Sequence, residues 1–105
     1  MTGAAAARER GNARKDQIRA LALSLAEKVG YRFVTRTMIA EAGRFSPSVV
    51  SAHWTAHQLQ TEILRAAVHT GNAVVVAQGL ADRHPAARSA PLKLRRRAAA
   101  TLIGE

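Results

Sequence analysis

The segment that most restricts this chain is FVTRTMIAEAGRFSPSVVSAHW, from Phe33 to Trp54. It reads as two short helices joined by a tight corner. Thr35 is an N-cap residue, and Val34 and Ile39 flank it at the spacing of a hydrophobic staple. Ala42-Gly43 closes the first helix, because glycine adopts positive φ at least cost. Ser46 caps the second helix, and Pro47 takes its first position, where a missing N–H is harmless. Phe45 and Val50 repeat the staple spacing. Two capped helices about a corner are the layout of a helix-turn-helix.

The flanking sequence supplies a helical frame. Over residues 13–29, Ile18, Leu21, Ala22, Leu25 and Val29 recur on one stripe, with Arg14, Lys15, Arg19, Glu27 and Lys28 off it. Gly30 ends that helix, and Phe33 is expected to pack beneath the corner. The two short helices cover residues 36–42 and 47–53, with Met38, Ile39 and Ala42 facing inward from the first. A further helix begins near His57 and carries Leu59, Ile63, Leu64, Ala67 and Val68 on one face. Gly71-Asn72 is a weak point in it. Val74-Val75-Val76 favours a strand by propensity, but no second strand exists to pair with it, so continued helix is expected. Gly79 and then His84-Pro85 stop this element. In the tail, Leu92, Leu94, Leu102 and Ile103 are too few for a core of their own and suit a dimer contact or a disordered end.

The expected fold is all-α, with four to five helices about the helix-turn-helix, organised as a dimer. Its parts are a flexible basic arm at residues 1–12, a helical domain at 13–83 and a basic tail or short dimerisation helix at 84–105. The length of 105 residues leaves room for one domain, with a modest core of Leu, Ile and Val because only two Phe, one Tyr and one Trp are present. The absence of cysteine excludes a disulfide framework and a thiolate zinc site. No apolar run reaches the length of a membrane span. The alanine- and arginine-rich start carries Glu9 and has neither a secretory apolar segment nor a serine-rich transit pattern, so a basic arm is the expected reading.

The net charge of +9 is unevenly placed. Residues 1–44 hold nine basic and four acidic residues (+5), residues 45–82 one basic and two acidic (−1), and residues 83–105 six basic and one acidic (+5). A near-neutral centre between basic ends suits a packed middle with phosphate-facing flanks.

The segment from Ile18 to Ile63 resembles the DNA-binding domain of the TetR family of repressors. The residues that carry the resemblance are Leu21, Leu25, Gly30, Val34, Thr35, Ile39, Ala40, Ala42, Gly43, Ser46, Val50, His53, Trp54 and Leu59. Three departures stand beside it. The corner from Ala42 to Ser46 is one residue longer than the usual family turn. Ser51 stands where the family has a phosphate-contacting tyrosine. The large ligand-binding and dimerisation domain is missing, so no small-molecule inducer is expected. The resemblance implies a homodimeric repressor of double-stranded DNA with a palindromic operator, cytoplasmic and nucleoid-associated or encoded by a plasmid or phage.

On that reading the second short helix enters the major groove. It offers Ser48 and Ser51 to base edges, with Ser46 and Pro47 at the entry and His53 and Thr55 at the exit. Ala52 lies on the same face. The helix has no Arg, Asn or Gln for bidentate base contacts, so water-mediated contacts and DNA shape carry more of the specificity. Arg44 in the turn is placed to reach a base or a phosphate. Thr35, Arg36 and Thr37 at the start of the first short helix form a phosphate site with its backbone N–H groups, supported by Lys28 and Arg32. Arg8, Arg10, Arg14 and Lys15 form the arm, suited to an adjacent minor groove or to solvent.

His53 and His57 stand four apart, but the break between them and the lack of a further ligand argue against a metal, and no cofactor is expected. Trp54 is expected as a core anchor. Arg95-Arg96-Arg97 suits a second phosphate contact or a solubilising tail, and suits a membrane-surface patch less well because the flanking apolar residues form no wide face. No nucleophile elbow, phosphate-binding glycine loop or spaced carboxylate pair is present, so no enzyme is expected. The alternative classes are a small basic RNA-binding or ribosome-associated protein, and a helical protein-interaction module such as an antirepressor.

Overall fold

The computed structural model describes the backbone of residues 2–102 and the side chains of residues 11–102. Among them are seven α-helices: α1 (Thr2–Val29), α2 (Arg36–Gly43), α3 (Pro47–Ser51), α4 (Ala56–Thr70), α5 (Ala73–Ala81), α6 (Pro85–Arg88) and α7 (Leu92–Leu102). A 3-10 turn at Tyr31–Phe33 joins α1 to α2. The all-α class holds among the described residues, but the helices outnumber the four or five expected. The excess comes from local stops. Gly71 takes a left-handed φ of 72° and ends α4, and Asn72 then accepts a hydrogen bond from the Val75 N–H at 3.1 Å to start α5. The Val74-Val75-Val76 run is helical, with Val75 and Val76 fully buried.

Residues expected as a flexible arm belong to α1, which is helical from Thr2. Four successive alanines near its start explain this, alanine being the strongest helix former. The side chains of Arg8 and Arg10 lie outside the described residues. The buried stripe of α1 is Ile18, Ala22 and Ala26. Leu21 and Leu25 are half-buried, and Val29 is exposed because the chain turns away at Gly30.

The core gathers Ile18 of α1, Ile39 of α2, Val50 of α3, Ile63 and Leu64 of α4, and Val75 and Val76 of α5, all essentially inaccessible to water. Hydrogen-bonded pairs Arg19–Glu62 and Glu27–Asn72 ascend along both α1 and the α4–α5 segment, so α1 and α4 run in the same direction. The tail joins this core instead of standing apart: α7 packs on α5 and buries Leu94 and Ala98. Ile103 lies outside the described residues. Gly79 does not stop α5 but lies buried inside it. A Cβ there would come within 2.6 Å of the Ala87 Cβ and 2.8 Å of Leu64 Cδ2, so α4 and α6 close on α5 only because the position is glycine.

Phe33 is not beneath the corner. It is exposed, and Tyr31 is the buried aromatic. The difference follows from hydrogen bonding: the Tyr31 hydroxyl donates to Asp82 Oδ2 at 2.8 Å, which lets its ring be buried without stranding a polar group. Its edge meets the His84 ring, with centroids 6.0 Å apart. Gln78 completes the joint. Its Nε2 donates to the Ala26 carbonyl at 2.8 Å, and its Oε1 accepts from the Tyr31 N–H at 2.8 Å.

Replacing Gln78 by Ala leaves the Tyr31 N–H without its partner and removes one of the two bonds to the Ala26 carbonyl, which the Gly30 N–H still reaches at 2.9 Å, and should lower stability by about 1–2 kcal/mol. Urea unfolding with an unchanged slope is the check. Burial, and then the Asp82 carboxylate, push the Tyr31 phenol up to about 12, against an ordinary value near 10. The unfolded chain therefore ionises first. This contribution to stability is full below about pH 10 and is lost as the pH rises toward about 12. Tyr31→Phe should make the alkaline loss of stability shallower across that interval, as read from denaturant midpoints of both proteins.

Candidate nucleic-acid interface

Two residues hold the α2–α3 pair to the core. Ile39 and Val50, one from each short helix, are both at 0% exposure. Each follows its cap at the staple spacing, with Val34 buried and Phe45 half-buried before the respective caps. Ala40 is the second buried residue of α2, whereas Ala42 is exposed. The helix turns Ile39 and Ala40 inward, which leaves Ala42 on the outer side.

The corner differs from the expected one. Gly43 belongs to α2, and Arg44 takes the left-handed conformation, φ 59° and ψ 44°. The Arg44 N–H donates to the Glu41 carbonyl at 3.3 Å and the Phe45 N–H to the Ala40 carbonyl at 3.0 Å, which satisfies the end of α2. Glycine at position 43 serves a close approach. A Cβ there would overlap the Phe45 ring. The additional corner residue is thus absorbed into the helix.

Thr35 caps α2, its Oγ1 accepting from the Met38 N–H at 3.1 Å. Thr37 beside it is exposed and Arg36 half-buried. Ser46 sits at the N-cap of α3 without a capping hydrogen bond. Its hydroxyl instead lies 2.7 Å from that of Ser48. The α3 helix ends at Ser51, two residues earlier than expected, and the Ser51 hydroxyl donates to the Ser48 carbonyl at 3.3 Å. Ser46, Pro47, Ser48, Ser51 and Ala52 are all exposed and together form one small, polar edge with Arg44 at its side.

His53 is half-buried, its ring 5.7 Å from that of Trp54. Trp54 is itself half-buried against the core, between α3 and α4. Thr55 does not stand free at the exit. It caps α4, accepting from the Gln58 N–H at 3.1 Å, while its own N–H donates to Gln58 Oε1 at 3.0 Å. The spacing Thr55-x-x-Gln58 is a capping box and was readable in the sequence.

Two cations of α1 clamp this unit. The Arg14 guanidinium lies over the Phe45 ring at 4.9 Å, and that of Arg19 lies over Trp54 at 5.4 Å. Arg19 also donates to Glu62 at 2.8 Å and Asp16 at 3.0 Å. Arg14 is therefore a packing residue as well as a charge, and Lys15 beside it is half-buried. Arg19 carries no part in the sequence reading of the site.

Of the other basic residues, Lys28 and Arg32 are exposed. Arg32 lies 3.6 Å from Asp82, which draws it toward the Tyr31 joint. Arg95 donates to the Ala90 carbonyl at 3.0 Å, whereas Arg96 and Arg97 are exposed. Among the described residues, no group of three His, Cys, Asp or Glu side chains has a metal-binding arrangement. No helix there is long and apolar enough to cross a membrane.

Comparison with protein-family models, curated proteins and solved structures gives no match to this chain. The resemblance to TetR-type domains thus gains no support from them.

Gly43→Ala should lower stability by about 1–3 kcal/mol despite the better helix propensity of alanine, because the Phe45 ring must move off its seat under Arg14. Thermal unfolding, with Trp54 fluorescence reporting on the neighbouring clamp, measures both effects.

Proposed function

We propose that this chain is a transcriptional regulator of double-stranded DNA, a repressor that binds a palindromic operator as a dimer. The observation that carries the reading is the exposed edge of α3. A helix held by one buried valine presents Ser46, Ser48 and Ser51 outward, beside the exposed guanidinium of Arg44. Short hydroxyl side chains let a helix approach base edges closely, and each can donate or accept. Thr37 and Arg36, at the start of α2, suit a phosphate on the same side of the corner as the α2 cap. The charge of +9 supplies the salt-dependent part of the affinity.

Repression is favoured over activation by the TetR-like resemblance alone. Water-mediated and shape-dependent readout fits an edge with no amide side chain.

Selection of bound sequences from random duplex DNA, with affinity read at two salt concentrations, tests this reading. A recovered palindrome should be bound about a thousandfold more tightly than random DNA. Ser48→Ala and Ser51→Ala should alter the preferred sequence without altering the fold. Arg44→Gly should weaken binding while preserving stability, since glycine suits a left-handed position. Arg96→Ala should weaken all duplexes alike and lower the salt slope by about one unit. Binding that is lost steeply in salt with no enriched sequence would overturn the reading in favour of RNA or charge-only association.

A further inference from the structure

The outer sides of α1 and α4 enclose a shallow groove that no other element covers. It lies between Asp16, Ala20 and Leu23 of α1 and Glu62, Arg65 and Ala66 of α4. The residues recur at helical spacing on two helices that run in the same direction, so the groove follows both axes. Its floor is apolar and low: Ala20 is exposed, Leu23 half-buried and Ala66 8% exposed. Alanines at such positions let the backbone of another helix come close.

The charge of this face sets it apart. Asp16 and Glu62 balance Arg19 and Arg65, a sum of zero on a chain of +9. Arg19 reaches both carboxylates, at 3.0 Å and 2.8 Å. Asp16 nevertheless remains 77% exposed, and Arg65 pairs with no carboxylate among the described residues. A polyanion therefore meets no net attraction here and two carboxylates. A second copy of this strongly basic chain meets a neutral, partly apolar face, with an exposed carboxylate on one helix and an unpaired guanidinium on the other.

We propose that two copies of the chain pair through this groove, α1 and α4 of one packing on α1 and α4 of the other about a two-fold axis. Asp16 of one copy then lies opposite Arg65 of the other, twice over. The proposal rests on the dimer in the DNA-binding reading and names its surface.

Sedimentation equilibrium of the full chain across the micromolar range, without nucleic acid, tests it directly. A dimer is expected. Ala20→Arg should weaken association by about tenfold or more, with the circular dichroism and thermal unfolding of the monomer unchanged because Ala20 is already exposed. Asp16→Arg should do the same, and adding Arg65→Asp to it should recover association. Ala99→Arg, at an exposed position of α7, should leave association as it was. A monomer at every concentration, a dimer that Ala20→Arg leaves intact, or a double reversal that fails to recover association would each overturn the proposal. Because no DNA is present, these outcomes are distinct from a failure of operator selection.

Discussion

The structure turns on one amide. Between Ala26 and Tyr31 the chain leaves α1, bends and prepares to enter the α2–α3 corner, and the ends of helices leave backbone groups without partners. Gln78 reaches from α5, supplies the acceptor for the Tyr31 N–H, and adds a second donor to the Ala26 carbonyl, which also accepts from the Gly30 N–H at 2.9 Å. Glutamine is one of few side chains that can do both at once. With that joint closed, Tyr31 can be buried, its hydroxyl can find Asp82, and Val34 is delivered to the core just ahead of the Thr35 cap. Together with the buried Ile39 and Val50 and the Arg14 and Arg19 clamp, this joint sets the orientation of the short helices relative to the rest of the protein.

Charge is divided between internal and external duties. Arg14 and Arg19 lie over aromatic rings, and Arg19 also holds two carboxylates. Arg95 binds a carbonyl at the junction of α6 and α7. Arginine suits such positions because its flat, delocalised cation stacks and hydrogen-bonds at once. The formal charge of +9 therefore overstates what the surface offers to a polyanion. Lys28, Arg44, Arg65, Arg83, Arg88, Lys93, Arg96 and Arg97 are exposed and hold no ion pair among the described residues, which makes them the cations of greater weight for any partner.

Local chemistry in this chain was legible where cap, staple and apolar spacing agreed. Thr35 with Val34 and Ile39 marks the start of α2, and the Leu59, Ile63, Leu64, Ala67 face of α4 is buried as its periodicity demands. Reading failed where a distant contact decided the outcome. Glycine at 43 and 79 looked like punctuation, but at both positions the reason is a neighbour that needs the space: Phe45 in one case, Ala87 and Leu64 in the other. Tyr31 and Phe33 are aromatics of similar size two residues apart, and the buried one is the one whose hydroxyl finds Asp82. The tail lacked enough apolar residues for its own core, yet Leu94 and Ala98 suffice once α5 offers a face. For the candidate interface, the exposure of Ser48 and Ser51 was readable from the helix spacing and the Thr55 cap from its Gln58 partner three residues on, whereas the seat of Arg14 over Phe45 was not.

The Gln78 joint also differs in range from the corner that it seats. Its bond to Ala26 spans 52 positions, while the α2–α3 corner and its caps are closed by contacts only a few residues apart. Closing a loop of that size costs entropy that the local contacts do not. The corner's own contacts therefore close at little cost in entropy, whereas its fixed orientation depends on a docked α5: the shape of the motif is a short-range property of the chain and its seat a long-range one.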